Sequence, residues 1–207
     1  MGAALALLAA CGSGDEGAVG VPAEMACNTT DLGGEFHLLT EGEVSVRNLA
    51  DLADDAGGRA RELRLAGLRG GRFSYWEEQV GRPPFDLPAQ ALCQALEFGS
   101  EAEAERFVRE LRAEPGKLAT TAMTWLPRGQ REAEEVPLTT APALPAGARA
   151  FRIAANGPGP DVELYAVFAP NGRYVQSVHV SGGRHVEDAL AMMESLAGRT
   201  RILTAAR

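Results

Sequence analysis

Few side chains in this sequence have a spacing that indicates a known chemistry. The three histidines, His37, His179 and His185, are far apart along the chain, and the sequence contains neither an HExxH nor a CxxC pair that would bind zinc. No serine lies in the GxSxG pattern of hydrolases, and no glycine-rich segment has the spacing of a phosphate-binding loop. The sequence therefore assigns no catalytic residue, metal or cofactor, and structural roles are expected for the histidines.

Five arginines form the densest basic cluster of an otherwise acidic chain: Arg59, Arg61, Arg64, Arg69 and Arg72. Clustered guanidinium groups attract anions, so the cluster could dock an acidic partner or lipid headgroups. The alternative is a solvated helix face whose charges pair with nearby aspartates and Glu62, since helix faces of alternating charge are usually solvated.

Two neighbouring aromatic residues, Tyr75 and Trp76, are candidates for contact with a small molecule or a partner. Successive residues of a strand point to opposite faces of its sheet, so one ring can lie in the core while the other is exposed. The surface ring would lie beside the proline-rich segment 81–88. The alternative is core packing, which is the usual role of large aromatic side chains.

The N-terminal residues 1–10 read MGAALALLAA, an apolar run without charge, and Cys11 follows directly. Such a run is too short to span a bilayer, which needs about 20 apolar residues, but it fits the apolar part of a secretory signal. The segment Leu8-Ala9-Ala10-Cys11 resembles the lipobox of bacterial lipoproteins. The resemblance implies that residues 1–10 are a signal peptide and that Cys11 carries a lipid on the extracytoplasmic face of a membrane. The alternative is an alanine-rich tail with an incidental cysteine.

If Cys11 carries a lipid, two cysteines remain, Cys27 and Cys93. An even number of cysteines in an oxidising compartment favours a disulfide. A disulfide between them would close a long loop, and the chain-entropy model gives such a loop about 4 kcal/mol of stabilisation. It would also join the N-terminal segment to a central strand. The alternative is two buried free thiols, since spacing alone does not place the two residues within bridging distance.

Composition limits the classes of partner. Hydrophobic residues make up 45% of the chain and charged residues 23%, which is ordinary for a globular domain. The formal net charge of −8 repels phosphate backbones, so nucleic-acid binding is not expected. The same charge gives no attraction to anionic lipid, so membrane attachment would depend on the lipid at Cys11.

The chain divides into a leader, a tether and one domain. Residues 11–26 are rich in glycine, weakly acidic and without apolar periodicity, which predicts a flexible tether. Residues 27–207 are then predicted to form a single α+β domain, a length that suits one hydrophobic core.

Three segments have the apolar spacing of amphipathic helices: residues 56–68, 100–111 and 184–197. Ser100 and Glu103 have the spacing of a capping box at the start of the second helix. Gly198 is expected to end the third helix, because glycine is the usual residue just beyond a helix C-terminus.

Six segments read as strands: residues 73–80, 92–98, 122–126, 151–153, 162–168 and 173–180. Asn171-Gly172 lies between the last two and is a strong signal for a β-hairpin. A long loop is expected over residues 127–147, which contain several prolines and mixed charge.

The order strand, strand, helix occurs twice, at residues 72–113 and 161–197. Such ββα units normally build an antiparallel sheet with helices on one face. We therefore predict an antiparallel sheet with helices on one face. The repeated order indicates either two degenerate copies of one unit or a coincidence.

With its leader and tether, this layout is similar to the small cell-envelope lipoproteins of high-GC Gram-positive bacteria. That resemblance implies a non-enzymatic binding or sensor-like module for an envelope partner protein or an apolar ligand, anchored to the membrane through Cys11. An open sheet face would supply the binding surface. The alternative is a cell-envelope hydrolase with a non-standard active site, which a buried histidine beside a serine or aspartate would favour.

Overall fold

A seven-stranded antiparallel sheet dominates the computed structural model. The structure describes residues 21–33, 36–79, 88–121, 123, 130–138, 144–156 and 162–205. The strands are β1 (Phe36–Val44), β2 (Leu68–Glu78), β3 (Gln90–Phe98), β4 (Gln130–Val136), β5 (Arg149–Asn156), β6 (Val162–Asn171) and β7 (Tyr174–Ser181). Their order across the sheet is β1-β2-β3-β7-β6-β5-β4, with every neighbouring pair antiparallel. The central pair, β3 and β7, therefore joins the two halves of the chain.

The helices are α1 (Val46–Ala50), α2 (Ala56–Leu65), α3 (Glu101–Glu110), α4 (Pro115–Thr121) and α5 (Val186–Ala205). Three of them begin at a side-chain cap, which satisfies a backbone N–H that has no partner within the helix. Ser45 and Ser100 accept hydrogen bonds from the backbone nitrogens three residues ahead, at 3.1 and 3.3 Å, and Asp55 does so at 2.9 Å. The predicted cap at Ser100 is thus confirmed.

Helices cover both faces of the sheet. On one face, Leu63 of α2, Val108 of α3 and Leu118 of α4 pack on the sheet beside Leu96 and Phe168, and we call this the α3-side core. On the other face, α5 packs on the sheet, and we call this the α5-side core. The α5 residues Met193 and Leu196 share that core with Trp76, Val167 and Val178. Phe168 and Val167 are consecutive residues of one strand, which fixes the two cores on opposite faces.

The predicted α+β class with one antiparallel sheet is confirmed, whereas the expectation that the helices lie on one face is wrong. The expected open face carries α5. The repeated order is present as β2-β3-α3 and β6-β7-α5. If the two units were related by symmetry, a two-fold axis perpendicular to the sheet would exchange the antiparallel strands β3 and β7. Rotation about that axis would keep the two helices on the same face of the sheet. Because α3 and α5 lie on opposite faces, the two units are not related by that symmetry.

The structure confirms the predicted hairpin and corrects two other local predictions. The hairpin at Asn171-Gly172 forms, but its two loop residues are Gly172 and Arg173, and Asn171 pairs with Tyr174. The segment predicted as a long loop contains the edge strand β4, whose charged residues suit an unpaired sheet edge. Gly198 does not end α5, which continues to Ala205. Most of the predicted strand at 122–126 lies outside the described residues.

The ordered domain begins before Cys27, which corrects the predicted extent of the tether. Residues 23–25 form a turn of 3-10 helix, and Met25 is only 1% exposed. Val21 and Met25 pack against Ala95 and Tyr174 on the α5 side of the sheet. The tether was predicted from glycine content and lack of periodicity, and two apolar side chains are too few to produce a periodic signal. Residues 1–20, including the predicted signal peptide and Cys11, lie outside the described residues.

Candidate functional site

A strip of polar side chains crosses four neighbouring strands on the α3 side of the sheet. We call it the polar strip, and it comprises His37, Tyr75, Glu77, Gln90, Gln94, Ser177 and His179. The strand register aligns its members: His37 pairs with Glu77, which pairs with Gln90. One step along the strands, Tyr75 pairs with Leu92 and Leu92 with His179. Gln94 and Ser177 pair in the following step.

Exposure decreases along the polar strip from the strand ends toward the middle of the sheet. His37, Glu77 and Gln90 are half-buried. Tyr75 is 8% exposed, His179 is 3% exposed and Gln94 has no exposed surface. The strip therefore leads from solvent into the α3-side core, and Leu92 and Phe168 supply apolar surface within it.

Three members of the strip form a chain of hydrogen bonds. The Ser177 hydroxyl donates to Oε1 of Gln94 at 3.4 Å, and Nε2 of His179 lies 2.9 Å from the Ser177 Oγ. Since the single Ser177 proton is directed to Gln94, the Ser177 oxygen accepts from Nε2–H of His179. That assignment leaves Nδ1 of His179 as a hydrogen-bond acceptor, and the Phe168 ring holds the imidazole edge-on at a centroid distance of 5.3 Å.

Four buried polar atoms of the strip have no hydrogen-bond partner in the described structure: His37 Nδ1, Tyr75 Oη, Gln94 Nε2 and His179 Nδ1. Buried polar atoms without a partner are few in native proteins, because each one loses its hydration without compensation. The other such atoms of the described ranges belong to Arg72, Glu78, Glu97 and Arg184, whose side chains form ion pairs. The four atoms of the strip belong to side chains that share one patch of one sheet face, which makes the polar strip the candidate binding site.

Burial perturbs two titratable groups of the polar strip. Burial lowers the pKa of His179 from 6.5 to about 3, because the imidazolium would lose its hydration inside the α3-side core. Burial, together with the nearby Glu77 carboxylate, raises the pKa of the Tyr75 phenol to about 12. Both side chains are therefore uncharged at neutral pH.

We expect the buried His179 to make the protein less stable in mild acid. The unfolded chain protonates this histidine near pH 6.5, whereas the folded protein does so only near pH 3. Stability is therefore complete above pH 6.5 and falls as the pH drops below it, by up to about 1.4 kcal/mol per pH unit. Urea denaturation between pH 7 and pH 5 should show this slope in the wild type and lose it in His179→Gln.

The matched control for this experiment is His185→Gln, because His185 is exposed at the start of α5. It should keep the slope of the wild type. An identical pH dependence in all three proteins would show that His179 is accessible to protons in the folded state.

The hydrogen bond between Ser177 and His179 has the residue types of a nucleophile and its base. Ser177, however, has no exposed surface, so a substrate carbonyl has no approach to its oxygen in this conformation. A histidine with a pKa of about 3 is also a weak general base, since efficient bases titrate near the working pH. The geometry suits hydrogen-bond recognition better than acyl transfer.

The structure buries both predicted aromatic contacts. Tyr75 and Trp76 point to opposite faces as predicted, but Trp76 is only 5% exposed and packs in the α5-side core. Both rings pack in the core, as the core-packing alternative predicts, because helices cover both faces. Trp76 donates its indole N–H to the Ser74 hydroxyl at 2.8 Å. Tyr75 belongs to the polar strip and keeps a place in the candidate site.

The five arginines do not form one docking patch. Arg59 is 8% exposed and its guanidinium donates to the hydroxyls of Thr120 and Thr121 at 3.0 and 2.7 Å, which joins α2 to α4. Arg72 pairs with Glu41 at 3.3 Å and shares the sheet face of Trp76, opposite α2. The other three are exposed: Arg61, Arg64 and Arg69. Residue spacing alone could not separate the buried arginine from the exposed ones.

The predicted disulfide is present between Cys27 and Cys93, with Cα atoms 5.6 Å apart. It links the segment before β1 to the centre of β3. Among the described residues, no cluster of histidine, cysteine, aspartate or glutamate could hold a metal ion. Nor does any helix in the described ranges combine the length and apolarity needed to cross a bilayer.

Sequence reasoning missed the polar strip, although a signal was present. Gln90 and Gln94 alternate with apolar residues on β3, and Ser177 and His179 stand two residues apart on β7. Polar residues at alternate positions usually indicate the solvent side of a strand. Here Gln94, Ser177 and His179 are buried, because α3 and its neighbouring helices cover this face.

Comparison with known proteins gives the fold only. No family model matches the sequence, and no curated protein matches it. The extracellular domain of PknH from Mycobacterium tuberculosis has a similar structure, with a TM-score of 0.50 over 88% of this chain and 94% of that chain. The two sequences are 10% identical. At that identity the similarity defines a shared α+β architecture.

Proposed function

We propose that this chain is an extracytoplasmic, non-enzymatic binding or sensor-like module, held on a membrane by a lipid on Cys11. In this interpretation it resembles the small cell-envelope lipoproteins of high-GC Gram-positive bacteria. Its partner is an envelope protein or an apolar ligand, and nucleic acid is not a partner.

The observation that carries the binding role is the concentration of unpartnered buried polar atoms on the polar strip. Polar groups that converge on an apolar background are typical of ligand sites. Two side chains whose pKa is shifted by burial, Tyr75 and His179, lie on the same strip.

Two observations support the location. The Cys27–Cys93 disulfide suits an oxidising compartment outside the cytoplasm. The similar fold of the PknH domain is that of an extracellular domain. Support for the anchor comes from the lipobox-like segment that ends at Cys11.

The anchor is tested by replacing the lipid-bearing residue. Cys11→Ser should move the protein from the membrane pellet to the soluble fraction in a bacterial host that processes lipoproteins. Its thermal unfolding should not change, because Cys11 takes no part in the Cys27–Cys93 disulfide. Ser13→Ala is the matched control and should remain in the membrane pellet after a high-salt wash. Intact mass should show a diacylglyceryl group on the control and none on Cys11→Ser. A Cys11→Ser protein that stays in the washed pellet would refute the lipid anchor.

A cell-envelope hydrolase is the second candidate, and the hydrogen bond between His179 and Ser177 favours it. A fluorophosphonate probe distinguishes the two functions, because it labels activated serines. Covalent labelling that Ser177→Ala abolishes would establish the hydrolase. A chain that stays unlabelled, and still binds ligand at the polar strip, would agree with the binding module.

A further inference from the structure

The seven-stranded sheet has two outer strands, β1 and β4, and they differ in how well they are protected. Most residues of β4 are charged, and charge on an outer strand discourages pairing with another chain. β1 instead carries two successive leucines near its middle, Leu38 and Leu39, which are 44% and 45% exposed. Within the described ranges, no strand pairs with the outer side of β1. This edge therefore offers free backbone groups beside exposed apolar side chains, as a strand-pairing site does.

The pairing of β1 with β2 is interrupted at the two leucines. The register shifts between Leu38 and Thr40, and Leu39 has no partner on β2. Such a bulge adds one residue to a strand and reverses the alternation of faces beyond it. A further strand pairs with the outer side of β1 without a mismatch only if it has the same interruption opposite the bulge. A second copy of β1 has that interruption.

The faces on either side of the bulge fix the register of such a pairing. Before the bulge, Phe36 lies on the α5 side of the sheet and His37 on the α3 side. After it, Thr40 lies on the α3 side and Glu41 on the α5 side. Opposed residues of an antiparallel pair share a face of the sheet. His37 of one copy therefore lies opposite Thr40 of the other, and Phe36 lies opposite Glu41.

In this register the two-fold axis passes between Leu38 and Leu39. The exposed leucines of both copies then meet at the axis, where their contact removes apolar surface from water. The two Glu41 carboxylates are five positions apart along the strands, which is about 16 Å and beyond the Debye length of about 8 Å at physiological salt.

Charge disfavours the other pairings of β1. Symmetric registers that use only residues beyond the bulge put Glu41 or Glu43 opposite itself, or the two opposite each other, and opposed like charges are destabilising. Pairing with β4 of another copy would bring these glutamates against a strand that contains three glutamates of its own. Such a head-to-tail contact would also leave an outer strand free at each end and continue into a filament.

We infer that this chain forms a symmetric dimer in which β1 of each copy pairs antiparallel with β1 of the other, with Leu38 and Leu39 at the two-fold axis. The two sheets then join into one continuous sheet. The inference goes beyond the proposed function, and it depends neither on the anchor at Cys11 nor on a ligand at the polar strip.

The test is sedimentation equilibrium of the full chain carrying Cys11→Ser, which removes a thiol able to link two copies covalently. Because a two-strand contact is smaller than a standard protein interface, we expect a reversible dimer with a Kd on the order of 100 µM. Leu39→Lys places two ammonium groups beside the axis and should raise the Kd at least tenfold. Leu65→Lys is the matched control, because Leu65 is 78% exposed on α2, and it should leave the Kd unchanged.

Two further measurements separate loss of the interface from loss of the fold. Both substitutions replace an exposed leucine, so both variants should melt at the temperature of the unsubstituted chain. Hydrogen exchange locates the contact: amides of residues 37–41 should exchange more slowly as the protein concentration rises. The amides of residues 130–136 in β4 should show no such change.

A chain that stays monomeric at about ten times the expected Kd would overturn the inference. A dimer that Leu39→Lys leaves intact, or one that protects the amides of β4 instead, would overturn the interface at β1. A mass that rises beyond that of a dimer would overturn the symmetric pairing, since a closed two-fold contact stops at two copies. The Cys11→Ser fractionation and the fluorophosphonate experiment test the proposed function independently of all these results.

Discussion

Removal of the Cys27–Cys93 disulfide is expected to lower the free energy of unfolding by about 4 kcal/mol. The two cysteines are 66 residues apart in sequence, and the loop between them contains β1, α1, α2 and β2. Without the bond, the unfolded chain gains the conformational freedom of that loop, which stabilises the unfolded state. For a domain of this size, the change corresponds to a melting temperature lower by about 8–16 °C.

The measurement is thermal unfolding of a double variant, Cys27→Ala with Cys93→Ala, in a chain that also carries Cys11→Ser. The Cys11→Ser chain with its disulfide intact is the matched control, and reduction of that control should lower its melting temperature to that of the double variant. A melting temperature that is unchanged by reduction would show that the bond contributes nothing to stability. Titration of two free thiols in the native control would show that the bond does not form.

Asp31→Ala is expected to destabilise the protein by about 3 kcal/mol, because it leaves the Arg199 guanidinium without its counter-ion. The Asp31 side chain is 1% exposed, and Nη2 of Arg199 lies 2.6 Å from its Oδ2. The carboxylate also accepts from the Ser195 hydroxyl at 3.2 Å and from the Asn28 backbone at 3.0 Å. Arg199 itself is 27% exposed, so water replaces part of the lost interaction. The expected loss of stability is therefore near the lower end of the range for buried ion pairs.

The comparison variant is Asp51→Ala, which removes an ion pair with Arg47 whose side chains are 59% and 87% exposed. It should cost less than about 0.5 kcal/mol, since water screens such pairs. Urea denaturation measures both variants. Limited proteolysis should cleave residues 21–33 faster in Asp31→Ala, because Arg199 also donates to the carbonyls of Glu24 and Ala26. Equal stability of the two variants would show that the buried pair does not hold the N-terminal segment.

Elements set by short-range interactions could be predicted from the sequence. The cap at Ser100 and the spacing of Ala104 and Val108 predicted α3, because a helix start is decided within one turn. Asn171-Gly172 predicted the hairpin for a similar reason, since the turn requires a positive φ that Gly172 adopts at 58°. Its exact loop residues depended on the pairing of β6 with β7, which shifted the turn by one residue.

Tertiary contacts overrode local preference in α5. Glycine costs a helix roughly 1 kcal/mol relative to alanine, and Gly198 was expected to end this one. The next two residues, however, are held in place by partners from distant parts of the chain. Arg199 pairs with Asp31, and the Thr200 hydroxyl lies 3.1 Å from Oε1 of Gln176. These contacts outweigh the intrinsic cost of the glycine.

The sequence by itself determined the α+β class, the order of most elements and the capped start of α3. Each of these follows from composition or from interactions between residues close in the chain. Only the tertiary structure decided that α5 and α3 cover opposite faces, that Arg59 is buried against Thr120, and that the polar strip exists. The strip draws on β1, β2, β3 and β7, so its members lie up to 142 positions apart, from His37 to His179. Local periodicity assigns a residue to a face of its own strand, but the other strands and the covering helices decide whether that face is solvent, core or binding site.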